Sequence, residues 1–468
     1  MNLRPLHRLA LGAMLGLAAC KSGPDYAPPE LPTPANWSGI DAHFDASATN
    51  TTAQTAWWQT LGCAHLDELV QQALAANHDL LAAAARIQQA RALAGIADAA
   101  DSVQINATTG YMRTRTTKAT PSPIAGRSYD TWSLGLDVSW EIDLFGRLAR
   151  ESEARTAEVQ LAEADREGIQ QSLIAEVVSA YADLRGADHR RAVARSSIEA
   201  SEQLVQITRV RADSGTGNDL DTARAERLLA SARSRLPAQE QQWRRSAHRL
   251  AVLVGRTPGE LVAALRDSAD LSNVPDLIAL GLPAELIRRR PDVSAAERRL
   301  AAATARLGTA LADRYPRLSI TGFFGLEADR ASEIFRSTSR AMRAGPALQL
   351  PLFTGGTVTE QIAVREAQID EARAELEQSV LRAFEEVENG VAGLQQERLH
   401  LAELSNAVEA AERARTFAQQ RFDTGIDDFL SVLDAEQARL DLADQRAVAT
   451  TELVRQFAAL HKALGSGG

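Results

Sequence analysis

Two kinds of hydrophobic pattern run along this chain. The first is a strict two-residue alternation, in which Trp132, Leu134, Leu136, Val138, Trp140 and Ile142 are separated by Ser133, Gly135, Asp137, Ser139 and Glu141. That period places one face of a strand in apolar surroundings and the other in water. Val103, Ile105, Ala107, Thr109 and Tyr111 repeat the scheme, as do Leu318, Ile320, Phe324 and Leu326, and then Met342, Leu348, Leu350 and Leu352. Four strands are expected, at about 103–116, 129–142, 316–328 and 341–353, with Pro346 as a residue that has no ladder donor.

The second pattern is helical and unusually long. Residues 146–212 contain no proline and only Gly168 and Gly186 in their interior, with Ala, Glu, Arg, Gln and Leu dominant; residues 356–422 match them, with Gly390 and Gly393 inside. At ~1.5 Å per residue each predicts a helix roughly 100 Å long. A further helix is expected from Leu66 to Ala100, with Asp67 and Glu68 in its first turn. Gly215-Thr216-Gly217-Asn218 and Gly425-Ile426-Asp427-Asp428 interrupt helical pattern on both sides, so each closes a helix hairpin, with Gly215 and Gly425 as positive-φ terminators.

These stretches form an internal duplication. Asp213-Ser214-Gly215 precedes Asp423-Thr424-Gly425 by 210 residues, the same offset pairs Ala225-Glu226 with Ala435-Glu436, and Leu144-Phe145 precedes Leu352-Phe353 by 208. The repeats fall at 61–272 and 273–468, each reading helix, strand, strand, very long helix, turn, helix. Tryptophans near both ends of the second strand, Trp132 and Trp140, with acids on its opposite face, fit a barrel with aromatic girdles and a watery lumen; a half-buried soluble sheet is the alternative. Four strands cannot close a barrel and an open edge cannot sit in lipid, so subunits must share one. Three chains would supply twelve strands and wrap the long helices into a tube.

The first residues, MNLRPLHRLALGAMLGLAAC, carry Arg4 and Arg8, a short apolar run from Leu9 to Ala19, and Leu17-Ala18-Ala19-Cys20. Residues 1–19 read as a signal peptide, with Cys20 as the site of covalent lipid, or alternatively as an ordinary signal cut nearby with Cys20 unmodified. Lys21 after the cysteine favours transfer to a bacterial outer membrane. Residues 20–60 are then a lipidated extended segment, rich in Pro, Ser, Thr, Asp and Asn, with order expected from Trp57-Trp58. Past the signal, no run of about 18 apolar residues exists to make a membrane-spanning helix.

Charge and chemistry narrow the function. The formal net charge is −10, no long Lys/Arg block offsets it, and removing residues 1–19 makes it more negative, which disfavours nucleic acid as a partner. The eight histidines are scattered without ligand spacing and no phosphate-binding loop appears, so neither a metal site nor an enzyme is expected. Cys63 reads as a buried small hydrophobe, Glu385-Glu386-Glu388 as a solvated helix face, Arg288-Arg289-Arg290-Pro291 as a basic helix end before a proline stop, and Pro237 as a helix kink.

Six stretches in order carry a family likeness: AWWQTLGCAHLDELVQQALAANHDL (56–80), WEIDLFGRLAR (140–150), SRLPAQ and LAVLVGRTP (within 234–258), LPAELIRRRPDVSAAERRLAAATARLG with YPRLSITG (within 282–322), GPALQLPLFTGG (345–356) and GIDDFLSVLDAEQ (425–437). Over essentially the whole mature chain the sequence resembles the TolC/OprM outer-membrane efflux family, in its lipoprotein, NodT-type branch. The resemblance implies a mainly α fold with a transmembrane β-barrel, a homotrimer with four strands per chain and a periplasmic α-helical barrel. It also implies a periplasmic adaptor and an inner-membrane pump as partners, and no cofactor beyond the lipid. It places Leu430 and Asp434 at the constriction of the tunnel tip, Arg421 and Asp427 beside it, and Gly215, Gly217 and Gly425 at adaptor-contacting turns. Ser431 stands where the TolC branch has a further acid, which thins the acidic ring. Read without the resemblance, Asp434 is equally a helix-start acid, Leu430 a core leucine, and Arg421 and Asp427 solvated or pairing charges. The expected function is a passive outer-membrane exit duct for small toxic compounds; the alternatives are the exit channel of a protein-secretion system and a non-conducting periplasmic coiled-coil adaptor.

Overall fold

The computed structural model describes residues 21–31, 33–39, 41, 43–45, 56–119, 121, 123–267, 270–271 and 274–467; the signal segment and Cys20 lie outside the described residues. In chain order the elements are β1 (Phe44–Asp45), α1 (Ala64–Ala76), α2 (His78–Ala99), β2 (Gln104–Arg115), β3 (Ser128–Ile142), α3 (Arg147–Asp213) and α4 (Asp219–Leu253). Then come β4 (Ile278–Ala279), α5 (Pro283–Arg289), α6 (Pro291–Ala312), β5 (Arg317–Ala328), β6 (Arg340–Gln349), α7 (Thr357–Asp423) and α8 (Phe429–Ala463). The duplication is metrically regular. α3 and α7 both have 67 residues and α4 and α8 both have 35, each pair offset by 210.

Two compact units cut across the repeats. The first comprises the described residues up to Glu30, with Arg86–Glu163 and Ala295–Glu377; the second comprises Leu31–Ala85, Ala164–Ser294 and Gln378 to the C-terminus.

The first unit is built on a four-stranded antiparallel sheet in the order β2-β3-β5-β6. Its register stacks like with like. Ala107, Leu136 and Phe324 with Met342 form one cross-strand row, and Val138 with Gly322 and Ala344 the next, whereas Asn106, Asp137, Phe323 and Arg343 form a row on the other face. Because directly opposed residues share a face, the period-2 pattern of each strand sums to one apolar and one polar sheet surface. On the polar surface Phe323 is the exception: it is buried, its ring covers Gly135, and the Arg343 guanidinium lies 4.7 Å from its centroid. A side chain at Gly135 would strike that ring, which explains both residues together. The last strand is shorter than its pattern predicts. β6 ends at Gln349, and Leu350 and Leu352 lie beyond it, exposed, since its partner β5 begins at Arg317, opposite Gln349.

The second unit holds the greater part of both hairpins around Trp57, Leu66, Val70, Tyr181, Trp243, Leu250 and Phe457, all nearly inaccessible. The glycines inside the long helices mark close approaches. A Cβ on Gly390 would lie 3.1 Å from Leu460 and one on Gly393 2.7 Å from Gln456, while one on Gly186 would collide with Thr451. Gly thus lets α3 and α7 both approach α8, at a helix-propensity cost of about 1 kcal/mol each.

Three expectations are corrected here. The helix predicted from Leu66 to Ala100 is two helices, because Asn77 leaves helical geometry and its Oδ1 caps α2 by accepting from Asp79 N at 2.9 Å and Leu80 N at 3.3 Å. The segment before Trp57 is extended but ordered in part: Trp37 is 5% exposed, donates from Nε1 to Gly281 O, and packs edge-on against Phe384. Phe44–Asp45 add a short parallel pairing with Ile278–Ala279. The acids at 385–388 are not simply a solvated face, since both Oε atoms of Glu388 accept from Ser38 at 2.8 Å and Glu386 pairs with Arg290 at 2.7 Å. Arg290 in turn is buried and also donates to Ala463 O, so the basic helix end pins the C-terminus of α8. The remaining readings take concrete form. Cys63 is buried and donates from Sγ to the Tyr181 hydroxyl, and α4 continues through Pro237. No helix among the described residues is long and apolar enough to cross a membrane.

Candidate functional site

The two hairpin turns are copies in atomic detail. The Arg211 carbonyl accepts from Thr216 N and Gly217 N, and the Arg421 carbonyl accepts from Ile426 N and Asp427 N. Gly215 and Gly425 adopt φ of +72° and +76°, the left-handed conformation that ends a helix with least strain in glycine. Gly217 has no such φ, and a Cβ there would lie 3.0 Å from the Arg211 and Ala212 backbone, although the equivalent position of the second turn carries the side chain of Asp427. Asn218 caps α4 by accepting from Asp221 N at 2.9 Å, and Asp428 caps α8 by accepting from Ser431 N at 3.2 Å.

Where the copies differ, the chemistry differs. Asp427 replaces the equivalent Gly217, and it takes Arg421 in a bidentate pair, Nε to Oδ2 at 2.6 Å and a terminal nitrogen to Oδ1 at 2.9 Å. Both are exposed enough for solvent to screen the pair, and the Arg421 hydrogen bonds hold the Asp427 carboxyl below its usual pKa. Arg211 has no acid at the equivalent turn position, and instead lies over the Phe422 ring of the other hairpin.

Leu430 and Asp434 lie one turn apart on α8, so they share a face. Leu430 is 38% exposed and Asp434 is exposed, while Phe429, Val432, Leu433 and Glu436 on the opposite side are buried. Phe429, Val432 and Leu433 join Leu204, Val205, Ala225, Leu228 and Phe422 in the cluster that binds the hairpins together. Leu430 is not among the residues of this cluster, and Asp434 lies beyond the first turn of α8, whose N-terminus Asp428 caps. Ser431 belongs to the cap, its Oγ donating to Asp428 Oδ1 at 3.1 Å.

Sequence reasoning overlooked Glu436. It is 2% exposed and held by Arg439 at 2.8 Å and by Arg415 of α7 at 3.3 Å, which locks the second hairpin two residues beyond Asp434. The position was visible as the repeat partner of Glu226, but Glu226 pairs on the surface with Arg209, and only packing distinguishes them.

In the first unit the candidate membrane surface is the apolar sheet face. Leu134, Leu136, Phe324, Met342 and Leu348 are all exposed on it, with Phe324 at 65% and Met342 at 72%. Trp132 packs on Tyr111 at 4.6 Å near one end, and Trp140 donates to Asp101 O near the other. A contiguous apolar surface of this kind is not left to water by a soluble monomer. Among the described residues, strands β2 and β6 each pair on one side only, so the sheet has two open edges.

Comparison with known proteins finds relatives along nearly the whole chain. The family model described as outer membrane efflux protein matches residues 69–256 and 282–466. The pyoverdine export outer membrane protein OpmQ of Pseudomonas aeruginosa is 31% identical, covering 98% of this chain and 96% of its own. The toluene efflux pump outer membrane protein TtgF of Pseudomonas putida is 30% identical, covering 98% and 97%. Among solved structures, the outer-membrane channel OprN superposes with a TM-score of 0.88 at 37% identity, over 96% of this chain and 99% of that one.

Proposed function

We propose, from the premise that this chain belongs to the outer membrane efflux protein family, a working account of how it conducts. The chain is an outer-membrane channel, the exit component of a tripartite efflux pump. Three copies close a twelve-stranded barrel by pairing β6 of one chain with β2 of the next, which removes the open edges that lipid cannot tolerate. The apolar face meets lipid, Trp132 and Trp140 sit at its two interfaces, and the polar face with Asp137, Glu327 and Arg343 lines the water. The loops between β2 and β3 and between β5 and β6 face outward, and the paired long helices form the periplasmic tunnel.

The gate lies at the hairpin tips. Leu430 and Asp434 project away from the packed face of α8, so threefold symmetry gives an apolar ring above a ring of three carboxylates. Carboxylates around one axis repel each other and attract cations, which biases permeation without catalysis. Opening follows when an adaptor, docked at the Gly215, Gly217 and Gly425 turns, draws the tips apart; the energy comes from the inner-membrane pump. Covalent lipid on Cys20 anchors the chain. Small toxic compounds are the cargo, supported by relatives named for toluene efflux and pyoverdine export, and this favours drug-type efflux over protein secretion.

The exposed apolar face with its open strand edges is the observation that carries this reading. Single-particle electron microscopy of the full-length protein in mild detergent tests it: a hollow threefold cylinder is expected, and a solid rod or a lumenless monomer would exclude a channel.

A further inference from the structure

The strongest unexplained side chain in the first unit is Arg150. It is 1% exposed, and its guanidinium makes four hydrogen bonds. Nε donates to Ser22 O at 3.0 Å, one terminal nitrogen donates to Gly23 O at 3.1 Å and to Asp25 Oδ1 at 2.8 Å, and the other donates to Glu153 Oε2 at 2.8 Å. Ser22 N completes the contact by donating to Phe145 O at 3.0 Å. Three glycines make room for the approach. A Cβ on Gly308 would lie 2.8 Å from Ser22 O and from Arg150 Cγ, one on Gly23 would lie 2.7 Å from Gly308 Cα, and one on Gly146 would lie 2.9 Å from Lys21 Cα. Residues 21–25 thus lie backbone-down in a groove shaped for them, over a buried cation.

A leash that only tethers lipid would need none of this. Burying a guanidinium is costly unless it is paired and hydrogen-bonded, and here three of its four hydrogen bonds come from the five residues that follow Cys20. Location adds the purpose. Phe145 comes three residues after Ile142, the last residue of β3, at the end of the sheet where Ile142, Leu318 and Leu348 form one apolar row and Trp140 precedes them. Lys21, the residue that follows Cys20 in sequence, lies against Gly146 beside that rim.

We propose that the groove of Arg150, Gly146 and Gly308 is a docking site for the chain's own post-cysteine segment, and that it sets the depth at which the acyl chains enter the membrane relative to the sheet. The proposal rests on the reading that Cys20 is lipidated. Arg150 is a positioning residue: by holding residues 21–25 it places lipid and sheet rim at one interface, so that anchoring also registers the strands for insertion.

The test uses the full-length chain and two variants, Arg150→Gln, which removes the clamp, and Gly308→Val, which fills the groove while leaving Arg150. Each is expressed with Cys20 and in a Cys20→Ala chain exported by an ordinary signal peptide. Alkyne-palmitate labelling reports lipidation, trypsin cleavage after Lys21 reports docking, and the amount of mature protein in the outer-membrane fraction reports insertion. In the lipidated chain both variants are expected to speed cleavage after Lys21 by about tenfold and to lower outer-membrane recovery severalfold, whereas in the Cys20→Ala chain they leave recovery unchanged. Equal loss of recovery in both backgrounds would reduce Arg150 to a packing residue and overturn the proposal, as would unaltered protection of Lys21. Absence of label from the otherwise unaltered protein would remove the lipid premise itself, a failure visible before any Arg150 variant is made.

Discussion

The guanidinium carbon of Arg211 lies 3.8 Å from the centroid of the Phe422 ring, and this contact joins the end of the first long helix to the end of the second. It sits at the margin of the cluster formed by Leu204, Val205, Phe422, Phe429 and Val432. Phe422 supplies both terms, an apolar plug and a cation acceptor. Phe422→Ala is therefore expected to destabilise the paired hairpins by about 3 kcal/mol, and Arg211→Ala by about 0.5–1 kcal/mol. Hydrogen exchange at the hairpin amides, run as a double-mutant cycle, checks the coupling; additive effects would show that the ring and cation act separately.

The exposure of Leu430 and Asp434 makes the proposed gate separable from the fold. Leu430→Ala and Asp434→Asn are expected to change stability by less than about 0.5 kcal/mol, as surface substitutions do. In planar bilayers Leu430→Ala should raise conductance and Asp434→Asn should reduce cation preference, by roughly twofold or more for three charges on one axis. Unchanged conductance in both variants would move the constriction elsewhere.

Asp427 gives the turn a defined acid limit. Its carboxyl pKa lies below the ordinary value because Arg421 bonds to it, so the pair favours the folded turn at neutral pH, above the ordinary carboxylate pKa of about 4. The contribution is lost as pH falls through the lowered value. Carboxyl NMR titration should show Asp427 protonating later than exposed aspartates, and Arg421→Ala should return it to the ordinary range.

His461 acts in the same direction for a different reason. It stacks on Trp57 at 4.8 Å, lies against Phe457, and is buried, which pushes its pKa down to about 3. The unfolded chain takes up this proton near pH 6.5 and the folded one only near 3, so stability declines as pH drops through that window, by up to about 1.4 kcal/mol per pH unit. Denaturation midpoints measured from pH 7 to 4 should show the slope, and His461→Leu should flatten it.

Gly186 tests the close helix approach. A side chain there would collide with Thr451, so Gly186→Ala is expected to cost about 1–3 kcal/mol despite alanine's better helix propensity. Thr451→Ala should recover most of the loss in thermal denaturation. A stabilised Gly186→Ala variant would mean that α3 and α8 can part without penalty.

The sequence by itself determined the repeat, the strands and the turns. These are local or periodic properties: alternation fixes a strand face, absence of proline permits 67 helical residues, and only glycine readily takes the φ of Gly215 and Gly425. What it could not determine were partners brought together from distant positions. Nothing near Arg150 announces Ser22, nothing near Glu388 announces Ser38, and the identical repeat positions Glu226 and Glu436 differ only because one is packed beneath Arg415 and Arg439. Asn77 likewise breaks a helix without proline or glycine because its amide finds Leu253 O across the unit while its carbonyl oxygen caps α2. A side chain's intrinsic preference is written in its own position, but the energy of a buried polar group depends on whether packing delivers its partner, and that is decided by the tertiary structure.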